Sequence, residues 1–286
     1  MTAIKRVQLA AGLYFIATPI GTARDITLRA LDILTSADVI AAEDTRSLRK
    51  LMDIHGVALE GRTIISYHDH NGPAQRPRLL AALEAGKSVA YASEAGTPLV
   101  ADPGYQLGRA VVEAGHTVLA APGPSAVLAA LTVSGLPSDR FLFAGFAPNA
   151  KGARRSFLQE FSDVAATLVF YESPKRIAKM LNDAAEVLGA ERQAVVAREL
   201  TKKFEEIRRG TLAELAEDLS NNPVKGEIVL LINRGEKRKV TSEDVHEMLT
   251  HALQTMSKKD AVASVASAAE LPRREVYQMA LKMDDV

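Results

Sequence analysis

The residues that could do chemistry in this chain sit in a few short stretches, each directly after an apolar run. These are Thr18-Pro19-Ile20-Gly21, Glu43-Asp44-Thr45-Arg46, Tyr67-His68-Asp69-His70-Asn71, Ser93-Glu94-Ala95-Gly96-Thr97-Pro98 and Pro122-Gly123-Pro124-Ser125. Together they hold carboxylates, two imidazoles and an arginine among glycines, prolines and hydroxyl side chains. Carboxylates and imidazoles can take or hold a proton. Small residues let a ligand lie against backbone N–H groups. One such loop alone reads equally well as a plain surface turn; several at one sheet edge read as a binding crevice. The chain has no Walker loop, and no G-x-G-x-x-G follows a strand-like run. Neither a P-loop nucleotide nor an ordinary Rossmann dinucleotide is therefore favoured.

The loops can cooperate only if the elements before them share a direction. Residues 12–18, 39–42, 63–66, 88–92 and 116–120 are short apolar runs that predict strands. Residues 25–37, 48–54, 76–85 and 106–113 carry helical spacing between them. That alternation predicts a parallel α/β domain, and a parallel sheet places every carboxyl end on one side. The stretch Ser93 to Tyr105 is the clearest case. A strand that runs into Gly, Thr, Pro, Asp, Pro and Gly cannot continue as ladder or helix, so it must turn there.

The pattern changes after Gly135-Leu136-Pro137. Strands are expected at 141–145, 167–171, 193–197, 204–209 and 227–233, with a helix opened by Pro174 and ended by Gly189, and another at 212–219. Strand follows strand more often here, which predicts a mixed sheet. Residues 148–155 read as a polar, basic loop. Beyond Arg234 comes a charged linker, then a helix capped by Ser242, an Ala-rich helix behind a Ser257/Asp260 capping box, and a last helix started by Pro272. The expected division is an N-terminal parallel α/β domain at 1–135, a mixed-sheet α/β domain at 136–235, and a helix-turn-helix-like extension at 236–286.

With 286 residues, two domains and a short third piece can each bury a core. Lysine plus arginine and aspartate plus glutamate balance at 35 each, so no global field draws the chain to nucleic acid, although local patches can. The absence of cysteine excludes disulfides and thiolate metal sites. The first residues lack the apolar run of a signal peptide, and no window approaches a membrane span. A cytoplasmic protein is the expectation.

The ordered set ATPIGTARDIT, AAEDTR, YHDHN, SEAGTPLVADPG, PGPSA, GLPSDRF, FYESPKR, AREL and GEIVLLI, running from Gly12 to Ile232, resembles the tetrapyrrole-methylase-like superfamily. Within it, the set is similar to the RsmI family of small-subunit ribosomal RNA cytidine 2′-O-methyltransferases. The resemblance implies two α/β domains with an S-adenosylmethionine cleft between them, plus a small C-terminal helical extension. By motif position it implies that Pro19 borders the cofactor and that Ser93, Glu94, Ala95, Gly96, Thr97 and Val100 wrap its methionine end. Ser125 and Ala126 would continue the pocket at a helix start, where N–H groups favour a carboxylate. Tyr171 would face adenine, with Ala197 and Gly226 admitting it closely; the alternative for Tyr171 and Ala197 is a plain core position. The chain departs from the commoner pattern at Glu94, where S-D-A-G-T-P is usual, and at Gly21-Thr22-Ala23, where Gly-Asn-Leu is usual.

Methyl transfer from a sulfonium needs no metal; it needs an in-line approach and a place for the hydroxyl proton. The candidates to accept that proton are Asp44 and His68, with Glu94 and Glu172 behind them. A second reading has His68, Asp69 and His70 tying loops together, and a third leaves the proton to solvent. RNA phosphates require cations. Lys151, Arg154 and Arg155, in a loop imagined as a mobile clamp, and Lys202 are the preferred contacts. Other basic runs occur at Lys175 and Arg176, at Arg208 and Arg209, at Lys237 to Lys239, and at Arg273 and Arg274. The implied partner is small-subunit ribosomal RNA or the 30S particle, with the protein as a homodimer and no membrane. Two alternatives stay open: a C-methyltransferase of tetrapyrroles of the precorrin or uroporphyrinogen type, and a non-catalytic binder of the cofactor.

Overall fold

The computed structural model describes residues 4–102, 104–235, 242–269 and 271–284. Pro103 and the basic run Lys237 to Lys239 lie outside the described residues. The chain forms two compact units, Met1–Arg234 and Gly235–Val286.

The first unit contains two five-stranded sheets. In one, β1 (Gly12–Ile16), β2 (Val39–Ala42), β3 (Ile64–Ser66), β4 (Ser88–Ala92) and β5 (Val118–Ala121) run in the order β3-β2-β4-β1-β5. Every pairing is parallel. β1 and β4 are buried along their whole length, which is why they read as continuous apolar runs. Their period of two feeds two cores. Tyr14, Ile16, Ala90 and Ala92 pack with Leu34, Leu48 and Met52 from α1 (Leu28–Ser36) and α2 (Thr45–Ile54). Leu13, Phe15, Val89 and Tyr91 pack with Leu79, Leu83, Leu107 and Val111 from α3 (Gly72–Glu84) and α4 (Gly104–Glu113). The register pairs Ile16 with both Ala92 and Ala121, and Ala42 with Ala92 and Ser66. The carboxyl ends are thus level, and the loops leave from one edge. α3 begins four residues before the helical spacing suggests, because Pro73 in a first turn has no N–H that the helix would need.

The second sheet holds β6 (Phe141–Phe146), β7 (Thr167–Glu172), β8 (Gln193–Arg198), β9 (Glu206–Thr211) and β10 (Ile228–Ile232) in the order β6-β7-β10-β8-β9. Only β6–β7 is parallel, so the sheet is mixed. One face packs on α6 (Lys151–Gln159), α7 (Ile177–Leu188) and α8 (Leu212–Asn221). The other face, through Val169, Val195, Val229 and Leu231, meets Val127, Ala130 and Leu131 of α5 (Ala126–Ser134), together with Ile20. This shared core joins the two sheets. Two expectations fail here. The segment read as a mobile basic loop is largely helix α6, and α7 starts at Ile177, with Pro174 in the preceding turn.

Among its described residues the second unit has three helices, α9 (Ser242–Leu253), α10 (Lys258–Ala268) and α11 (Arg273–Asp284), around Val245, Leu249, Val262, Val265, Val276 and Ala280. Ser257 caps α10 by accepting from the Asp260 N–H at 3.3 Å. The Asp260 carboxylate takes the serine hydroxyl at 2.6 Å rather than the backbone N–H of a full capping box.

Candidate active site

The loops at the carboxyl edge of the parallel sheet are knitted before any ligand arrives. Thr18 and Gly96 exchange two backbone hydrogen bonds of 3.0 Å each, the Thr18 hydroxyl donates to the Ser93 carbonyl, and the Ser93 hydroxyl donates to the Gly96 carbonyl. The Thr97 hydroxyl donates to Pro124 at 2.8 Å. The β1, β4 and β5 loops therefore form one surface. The mixed sheet closes over it. A Cβ on Gly21 would lie 2.5 Å from Thr201 Oγ1 and 2.9 Å from the Leu200 carbonyl oxygen, so the first loop can meet the loop after β8 only as glycine. Gly226, at φ 95°, is held in the same way: a Cβ there would lie 2.4 Å from Glu199.

The space enclosed is a cleft of about 650 Å³, lined from both sheets. Its carboxyls are Glu43, Glu94, Asp102, Glu172 and Glu227, set against the Lys202 ammonium. Glu43 Oε2 accepts the Glu94 N–H at 3.1 Å. Asp102 Oδ1 accepts from the Tyr91 hydroxyl at 3.1 Å and the Gly104 N–H at 2.6 Å. Its Oδ2 is shut off from solvent and has no hydrogen-bond partner. Burial raises the Glu43 carboxyl above the usual range; the negative charges of Asp102 and Glu94 add to this and outweigh the pull of the Glu94 N–H. Burial, then Asp102 and Glu43, push the Tyr91 hydroxyl far up. Glu172 is raised by burial against the opposing Ser173 N–H and the Arg176 and Arg154 charges. For Lys202, burial pulls downward, but hydrogen bonds to Glu227 at 2.8 Å and Glu199 at 3.0 Å outweigh it and hold the ammonium charged.

Of the expected cofactor residues, Pro19, Glu94, Ala95, Gly96, Thr97, Val100, Ser125, Ala126, Tyr171, Ala197 and Gly226 line this cleft. Ser93 is buried beneath it as a turn-holder. Ser125 caps α5, whose N-terminus opens at the cleft. Tyr171 is fixed edge-on by Phe143 and Phe146 at ring separations of 4.8 and 5.6 Å. Glu94 is exposed on the cleft wall, so its extra methylene relative to aspartate meets no packed neighbour.

Two of the expected proton acceptors are not in the lining. Asp44 caps α2, accepting the Arg46 and Ser47 N–H groups. Its neighbour Glu43 faces the cleft instead. The sequence carries the signal: Asp-x-x-x before the first apolar helical residue, Leu48, is an N-cap pattern. His68 sits in a loop whose N–H donates to Asn71 Oδ1, with its ring edge-on to His70 at 5.9 Å. Asp102, set among turn residues, is not among the expected acids. The expected RNA contacts also divide. Arg154 is only 4 % exposed and is clamped to Asp183 by Nε at 2.8 Å, with Nη1 on the Asn149 carbonyl; it anchors α6 and is not a phosphate contact. Arg155 pairs with Asp183 and Glu186. Lys202 is tied inside the cleft, and Lys151 is exposed. Arg46, Arg49 and Lys50 are exposed on α2, whose Ser47 borders the cleft, and are not among those expected contacts.

Two sheets with a cleft between their loops define the class: the model of the tetrapyrrole (corrin/porphyrin) methylases matches residues 12–216, and that of the RsmI C-terminal HTH domain matches residues 239–284. The chain is 45 % identical over 285 residues to the ribosomal RNA small subunit methyltransferase I of Mesorhizobium japonicum, covering 99 % of this chain and 96 % of that one. Among solved structures it is similar to the methyltransferase CobJ, with a TM-score of 0.62 at 19 % identity over 81 % of this chain and 97 % of that one. It is similar also to uroporphyrin-III C-methyl transferase from Thermus thermophilus complexed with S-adenyl homocysteine, with a TM-score of 0.55 at 19 % identity over 78 % and 97 %. These two likenesses show the fold. The chain belongs to the RsmI family of the tetrapyrrole methylase superfamily.

Proposed function

We propose that this protein methylates the 2′-oxygen of a cytidine ribose in small-subunit ribosomal RNA, with S-adenosylmethionine as donor. The observation that supports it most is the acid-walled cleft between the two sheets, in a chain similar along nearly its whole length to a relative named ribosomal RNA small subunit methyltransferase I. The residues present fit the cofactor. A cation such as a sulfonium is favoured beside the Glu43, Glu94 and Asp102 carboxyls. A carboxylate is favoured at the α5 N-terminus beside Ser125 and Ala126. Tyr171 and Ala197 offer a flat apolar seat for a purine, and Gly96 presents backbone alone. When bound, the cofactor supplies an activated methyl group; the protein has only to orient the acceptor, exclude water and take a proton.

RNA phosphates are assigned to Arg46, Arg49 and Lys50 of α2 beside the cleft, to Lys151, and to Arg273 and Arg274, which are exposed on α11. The domain division at 1–135, 136–235 and 236–286 follows this division of labour: cofactor loops, closing sheet and RNA-directed helices. Among the described residues no helix is long and apolar enough to cross a membrane. A homodimer acting on the 30S particle in the cytoplasm completes the reading. The test is to incubate small subunits lacking the modification with labelled cofactor and map the product. One cytidine resistant to alkaline cleavage is expected. No incorporation, or label on a base or a uroporphyrinogen-type macrocycle instead, contradicts the proposal.

A further inference from the structure

We propose that Glu43 and Asp102 form the proton-accepting pair for the acceptor hydroxyl, working as a unit at the floor of the cleft. This rests on the ribose-methylation reading above. Glu43 directly follows β2, Asp102 lies in the long loop between the neighbouring strand β4 and α4, and both line the cleft. Each is pinned by one oxygen. Glu43 is held by the Glu94 N–H, and Asp102 by the Tyr91 hydroxyl and the Gly104 N–H. Asp102 Oδ2 is left buried with no donor. A buried acceptor without a donor costs free energy, so the site is completed by a group that brings an O–H.

The other lining acids are less suited. Glu172 Oε1 accepts the Ser173 N–H at 2.7 Å; its Oε2 also lacks a hydrogen-bond partner, but it lies 3.2 Å from the Arg176 guanidinium, whose charge opposes uptake of a proton. Glu94 is exposed. The titratable groups facing Glu43 are Asp102, Glu94 and Tyr91, and Tyr91 in turn faces Tyr67. Burial and the negative charges of Asp102 and Glu94 raise the Glu43 carboxyl, so a proton delivered to the pair is held there. In the step assigned to them, the acceptor oxygen gains its bond to the methyl carbon, and that carbon's former bonding pair leaves with sulfur. The O–H pair stays on oxygen, and the proton passes to the carboxylate of the pair.

The competing role for the same acids is to hold the ammonium of the cofactor. Full-length wild type, Glu43→Gln, Asp102→Asn and the double variant separate the two by calorimetric affinity for S-adenosylmethionine and by single-turnover transfer to small subunits at saturating cofactor across pH. Each single variant is expected to lower the saturated rate roughly 100-fold, with the double no worse than either single and affinity within about threefold of wild type. The rise of rate with pH is lost with the pair. A third readout needs no cofactor. The folded pKa of Glu43 lies above the unfolded 4.5, so wild type loses stability as pH rises above that value. Glu43→Gln does not share this loss, and is expected to be the more stable protein at pH 7. Variants that transfer at near wild-type rates overturn the proposal, as do variants that bind cofactor roughly tenfold or more weakly with the saturated rate intact. A Glu43→Gln protein less stable than wild type at pH 7 overturns it too. Failure of the wild type to methylate any RNA ribose would instead strike the functional reading, and this pair with it.

Discussion

Asp183 and Glu43 are both carboxyls withdrawn from water, and the structure treats them oppositely. Asp183, 3 % exposed, accepts from Arg154 and Arg155, each through Nε at 2.8 Å. Burial pushes its pKa up, but the hydrogen bonds and charges of the two arginines outweigh that and hold it below 3.8. Glu43 receives one backbone N–H and faces further acids, and its pKa is raised. The first arrangement secures a helix: α6 is fixed to α7. The second leaves a group prone to bind a proton, which is a property of use at a reacting centre and a cost elsewhere. The sign of the stability effect follows. Asp183 contributes stability that is present above pH 3.8 and lost as pH falls through its depressed value; Glu43 erodes stability as pH rises above 4.5.

Substitutions can break or sharpen this contrast. Arg154→Ala strips the buried carboxylate of its main partner and is expected to cost about 3–5 kcal/mol in denaturant unfolding, with α6 loosened. Gly226→Ala forces a side chain into a left-handed backbone against Glu199 and is expected to cost roughly 1–3 kcal/mol; cofactor affinity falls with it, because the lining moves. Lys202→Met is the intermediate case: a cation in the cleft already satisfied by Glu199 and Glu227, partly exposed, and so worth less than about 1 kcal/mol to stability. A Lys202→Met protein as damaged as Arg154→Ala would erase the distinction between structural and cleft charges.

The sequence carries this contrast unevenly. The parallel sheet is legible because β1, β2 and β4 are buried on both faces and stand out as short apolar runs between helical spacings. The lining from Gly96 to Val100 is legible because glycine and proline forbid regular structure after β4. α6 is not legible: Arg154 looks like a surface cation until Asp183, 29 residues later, is brought against it. Glu43 and Asp44 differ by one position, and only the capping geometry of α2 shows which of them turns to the cleft. Asp102 is invisible for the opposite reason. Its neighbours Pro98, Gly104 and Ala101 mark a turn, and nothing local shows that Tyr91 will hold one oxygen and leave the other bare.

The central claim is that loops from both sheets build one cofactor site. The direct measurement is calorimetric titration of S-adenosylmethionine into wild type, Gly96→Val and Tyr171→Ala, one variant from each sheet. The account predicts one site per chain in wild type and at least a roughly tenfold loss of affinity in each variant, about 1.4 kcal/mol. Wild-type affinity in either variant would contradict it, because that half of the molecule would then lie outside the site.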